Sequence, residues 1–235
     1  FMPAWRLAPT GDAQPAAAKQ RPIDDFPVVD LLDGSRRDLA FLLDSRLYAD
    51  GLVVLHNGRV VVERYRNGLT PEKPRLLLEA TRPLLNLLGA MSIGQGKLAA
   101  DKSVVRYLPN LATSTGLRKM AIQRLLENKE HYAWAPEEVG DWQRASGWIS
   151  NQSNSDIRAW LSQSGRWDKP FDEREALPFS GSPDDDLLAW ILAESNAMSL
   201  SRLFCEQLLG RARPEHPVVW VSDGQGIELA SGLGL

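Results

Sequence analysis

The chain has 235 residues, 43% of them hydrophobic and 24% charged, with a formal net charge of −3 at pH 7. That length allows one large domain with a sizeable core, and the mildly acidic balance argues against nucleic acid as a partner, because no basic stripe meets phosphates. No apolar run reaches the length of a membrane span. The one cysteine, Cys205, excludes an intramolecular disulfide and leaves the compartment open between periplasm and cytoplasm.

Residues 1–24, rich in Pro, Ala and Gln and without an apolar signal core, read as an extended N-terminal arm. Asp25 to Asp44 reads as a short strand or turn and then a helix with Leu39, Phe41, Leu42 and Leu43 on its apolar side. Gly51 to His56 and Arg59 to Tyr65 are β-branched runs around Asn57-Gly58, a pair that tolerates positive φ, and so predict a hairpin. Leu76 to Met91 predicts a buried helix; Pro83 belongs in its first turn, which places the start between Glu79 and Arg82, with Gly94 and Gly96 ending it. Asp101 to Leu108 predicts a helical turn and Arg118 to Leu126 a short amphipathic helix.

From His131 to Pro178 the chain holds Trp134, Trp142, Trp148, Trp160 and Trp167, read as core packing between helices and loops. Asp184 to Glu194 predicts a helix whose acidic start, Asp184-Asp185-Asp186, is read as solvated and favoured by the helix dipole. Ser199 to Leu209 predicts another, capped by Ser199 or Ser201. The tail, Pro217 to Val221 and Ile227 to Leu235, turns to strand.

The order of these segments resembles the serine β-lactamase-related and penicillin-binding-protein-like hydrolases, the 6-aminohexanoate-dimer hydrolase group among them. The resemblance rests on Gly51 to Tyr65 as the opening hairpin, on Gly96-Lys-Leu-Ala-Ala-Asp101 through Tyr107-Leu-Pro-Asn-Leu111, on Ala145-Ser-Gly-Trp148, and on Ser182-Pro-Asp-Asp-Asp-Leu-Leu-Ala-Trp-Ile-Leu192. It implies an α/β (α+β) fold: a mainly antiparallel sheet flanked by helices, forming one domain over 25–235. A helical subdomain is inserted over roughly 112–201, and the last strands are missing.

The same resemblance implies a Ser-x-x-Lys pair opening the central helix, a Tyr-x-Asn or Tyr-x-Ser triplet, and a late Lys- or His-x-Gly. Here Glu79 stands for the serine and Arg82 for the lysine; a guanidinium cannot act as a base. The two are read as an i, i+3 ion pair at the helix start. Ser180 stands for the tyrosine. Ser182 retains the triplet's third position and is read foremost as a helix N-cap. The late motif lies beyond Leu235, and Glu127 to Glu130 replaces a Met-x-Ser-Gly stretch.

Elsewhere no Ser-x-x-Lys occurs, and Thr70-Pro-Glu-Lys73 reads as a turn. The three histidines, His56, His131 and His216, are scattered, so neither a metal nor another cofactor is expected. The expected function is that of a pseudoenzyme taking a small-molecule or peptide-like ligand at Glu79, Arg82, Ser180 and Ser182. An active ester, β-lactam or amide hydrolase and a structural or regulatory interaction protein are the alternatives. A homodimer covering the incomplete sheet is the expected assembly.

Overall fold

The computed structural model describes residues 2–8, 21–127, 131–132, 134–149, 154–169, 171–172 and 182–235. Contacts divide the chain into two compact units, Phe1–Gly11 with Pro74–Arg213 and Pro217–Leu235, and Asp12–Lys73 with Pro214–His216.

In the smaller unit, strands β2 (Pro27–Val29) and β3 (Arg36–Asp38) pair antiparallel. Asp38 then caps the short helix α1 (Leu39–Phe41), its carboxylate accepting the Phe41 N–H at 2.7 Å. Of the four residues expected to form this segment's apolar side only Leu43 is buried. The predicted hairpin is β4 (Gly51–His56) and β5 (Arg59–Tyr65), turned through Asn57 and Gly58 at φ 51° and 71°. It forms a two-stranded sheet of its own. Val60 and Val62 of β5 are buried, whereas Val53, Val54 and Leu55 of β4 are exposed. Ion pairs join Asp24 to Arg64 and Arg66, Arg66 to Asp44, and Arg46 to the buried Asp30.

The larger unit carries the core. Its three-stranded antiparallel sheet runs β1 (Ala4–Leu7), β8 (Val218–Ser222), β9 (Glu228–Gly234). The central helix α2 (Arg82–Gly94) turns Leu85, Leu88, Gly89 and Ser92 inward. Helix α7 (Pro183–Asn196) is apolar around its whole circumference from Leu187 to Leu192, and all six of those residues are buried. Helices α5 (Pro136–Ser146) and α6 (Ile157–Leu161), with the short antiparallel pair β6 (His131–Tyr132) and β7 (Phe171–Asp172), hold the tryptophan-rich part of the core, where Trp134, Trp142, Trp160 and Trp167 are buried. Tyr132, Trp134, Trp160 and Trp167 form one cluster with ring centroids 5.1–5.9 Å apart. The Trp167 backbone packs so close to Gly116 that a Cβ there would clash with the Trp167 carbonyl oxygen.

One predicted helix is two. The 118–126 segment divides into α3 (Thr115–Lys119) and α4 (Ile122–Glu127). The Met120 carbonyl accepts the Val104 N–H and Ala121 bridges to Ser103, so the backbone at this point is extended. Helix α8 (Leu200–Phe204) follows its Ser199 cap, as the sequence led us to expect. Among the described residues no helix is long and apolar enough to cross a membrane.

Candidate functional site

The approach to position 79 is built on the sheet. Arg75 and Leu77 donate their N–H groups to the Leu235 and Leu233 carbonyls at 2.7 and 2.8 Å, so the chain before the central helix lies along β9. Leu78 then takes a left-handed φ of 51°, unusual for a branched side chain. A 3-10 turn, Leu78–Thr81, leads into α2 with Pro83 in its first turn, where the missing N–H costs nothing. Glu79 and Arg82 therefore sit where the sequence placed them, at the mouth of the central helix. Ser180 lies outside the described residues.

Glu79 and Arg82 are not paired. Glu79 is exposed, while the Arg82 side chain is only 11% exposed and forms an ion pair with Asp185. The guanidinium also donates to the Leu125 carbonyl and, through Nε, to Asn86 Oδ1 at 3.1 Å. It thus ties the start of α2 to the end of α4 and the first turn of α7. Burial lowers its pKa to about 10, against the opposing pull of Asp184. Even so, only about one molecule in a thousand would lack the proton at pH 7.

The acidic run is the site's largest departure from the sequence reading. Asp184 and Asp186 are 3% and 5% exposed, so this helix start is buried rather than solvated. Asp184 accepts from Trp134 Nε1 at 3.3 Å. Asp185 holds Arg82 and closes a capping box with Ser182. Asp186 accepts Trp142 Nε1 at 2.7 Å and the Ala230 N–H at 2.8 Å. Burial raises the Asp186 carboxyl to about 6 despite those two donors, with Asp223 adding to the rise. Three successive residues on a helix point roughly 100° apart, so a helix buried all round cannot turn all three to water. The all-round apolar run from Leu187 to Leu192 is the sequence signal that the acidic start is buried.

Ser182 is the N-cap of α7, its Oγ accepting the Asp185 N–H at 3.4 Å. Tyr132 is buried in the aromatic cluster; burial first, then the Asp184 and Asp168 carboxylates, hold its phenol protonated far above the ordinary range. Among the described residues no group of three or more His, Cys, Asp or Glu side chains is placed to hold a metal ion.

Set beside known proteins, the chain is 24% identical to 6-aminohexanoate-dimer hydrolase of Paenarthrobacter ureafaciens over 97% of its own length. The chain is a homologue of that enzyme. It spans 60% of that relative's length. Its fold matches a Bacillus anthracis structure provisionally described as a 6-aminohexanoate-dimer hydrolase, with a TM-score of 0.79 and 22% identity, over 100% of this chain and 62% of the other. It also matches FmtA from Staphylococcus aureus, with a TM-score of 0.52 and 14% identity, over 72% of this chain and 45% of the other. No protein-family profile matches the chain. The α/β fold with antiparallel sheets that the sequence implied is thus the fold that this chain shares with those structures.

Proposed function

We propose that this chain is a non-catalytic member of the family, a hydrolase fold that binds a ligand or partner without forming an acyl-enzyme. The state of Arg82 carries the reading. Where the family's base would stand free to take a proton, a charged guanidinium is committed to Asp185, Asn86 and the Leu125 carbonyl. An exposed Glu79 carboxylate is a poor nucleophile towards amides and esters, and the buried Tyr132 phenol is held in the form that cannot accept a proton.

Intact-mass spectrometry after incubation with a penicillin, and release of nitrophenol from a p-nitrophenyl ester, test this directly. The expected result is no adduct and no release from folded protein. A stoichiometric adduct would overturn the proposal, and peptide mapping would locate the nucleophile. Glu79→Ser with Arg82→Lys is expected to recover no activity.

The outer edge of β4 supports the further proposal that the chain self-associates. Among the described residues its backbone groups pair only with β5. Val53, Val54 and Leu55 are exposed at 49%, 38% and 61%, and the strand carries no Lys or Pro to discourage edge pairing. Light scattering should report a dimer that Val54→Lys dissociates; a wild-type monomer at all concentrations would refute it.

A further inference from the structure

We infer that a groove at the C-terminal end of α7 binds a small alkylammonium cation, with Glu228 as its counter-charge and Trp5 as its apolar wall. The groove encloses about 400 Å³ and shares no residue with Glu79 and Arg82, a volume within the range of small-molecule sites. The inference therefore stands or falls separately from the proposed loss of catalysis.

Charge decides the class of ligand. Among the described residues Arg158 is the one cation lining the groove; it pairs with Glu194 at 3.3 Å and lies over the Trp190 ring at 5.1 Å. Glu194 also accepts from Trp190 Nε1 at 3.0 Å, so both ends of that pair are engaged. Glu228 is different. Ser201 Oγ donates to it at 2.7 Å, and among the described residues no cation pairs with it. Among the described lining residues one net negative charge therefore remains. The 14-residue helix α7 ends at the groove and adds the negative pole of its dipole. An anion meets repulsion from both, whereas an ammonium is attracted by both.

The walls decide the rest. Trp5, 52% exposed, is anchored by its Nε1 to the Gly226 carbonyl at 3.4 Å and lines the groove together with Met198 and Ile227. An indole, a thioether and a branched chain suit a short hydrocarbon, and the indole also favours a cation at its face. A linear primary amine supplies both parts.

Isothermal titration at pH 7 with n-hexylammonium, n-hexanol and hexanoate separates the contributions. Hexylammonium should bind saturably and roughly tenfold more tightly than either analogue. Glu228→Gln, which keeps an acceptor for Ser201 but removes the charge, should cost roughly the same factor. Equal affinities for the three probes, no saturable binding to folded protein, or an unaffected Glu228→Gln variant would each overturn the inference. Tighter binding of Nα-acetyl-lysine methylamide than of hexylammonium would also overturn it, by transferring the site to a lysyl side chain.

Discussion

Helix α7 in the larger unit buries ten of its 14 residues, whereas β4 in the smaller unit leaves Val53, Val54 and Leu55 exposed. Both segments are written in apolar residues. The larger unit packs them against four or more other elements and uses its polar side chains as internal ties: Arg82 to Asp185, Trp142 to Asp186, Trp134 to Asp184. In the smaller unit, Asp30, Leu43, Val60 and Val62 are the buried residues among those described. What shapes it is turn chemistry, the tie of Arg46 to the buried Asp30, and part-exposed ion pairs that contribute little individually. Apolar composition alone therefore does not measure how much a segment stabilises; the number of elements that converge on it does.

The contrast can be broken most directly by truncation. Trp142→Ala should cost about 3–5 kcal/mol, because it removes a fully buried indole and one of the two donors to Asp186. Leu55→Ala in β4 should cost less than about 0.5 kcal/mol. Urea unfolding of the two variants measures both, and equal losses would erase the distinction between the units.

Next comes the tie at the site. Arg82→Ala should destabilise by about 3 kcal/mol, since Asp185, with a side chain 13% exposed, loses its cation. A loss below about 0.5 kcal/mol, the size of a surface change, would mean that Arg82 is not structural.

A comparable effect should follow pH. The folded Asp186 keeps its proton up to about 6, while the unfolded carboxyl releases it near 3.8. Between those values the folded state binds more protons, so this group's contribution to stability is present below 3.8 and lost as pH rises through 6. Relative to Asp186→Asn, the wild type should lose on the order of 3 kcal/mol across that window. Asp223, also raised by burial, acts with the same sign in both proteins. Unfolding curves at several pH values give the difference; a constant gap would show that Asp186 does not titrate there.

The smallest expected effect sharpens the picture of the smaller unit. Gly58 has φ 71° and open space where a Cβ would go, so Gly58→Ala meets backbone strain and no clash. It should cost about 1 kcal/mol, seen as faster amide exchange in β4 and β5 with the α2 and α7 amides unchanged.

What could be read from the residues is local. Asn57-Gly58 set the hairpin because left-handed backbone at both positions suits them, Pro83 placed the first turn of α2, and Ser182 and Ser199 capped their helices because a hydroxyl beside the first turn satisfies a free N–H. The order of segments shared with 6-aminohexanoate-dimer hydrolase was legible for the same reason. Partners distant in sequence were not. Met120 is extended because Val104 takes its carbonyl, and Arg75 to Leu77 lies along β9 because the edge carbonyls there need donors. Arg82 turns from its neighbour Glu79 to Asp185, more than a hundred residues on. Asp184 and Asp186 are buried because indole N–H groups from another part of the chain meet them. Periodicity and capping depend on neighbours within a turn or two of the chain, whereas burial of a charge depends on which distant donor arrives, and only the packed structure brings that donor into place.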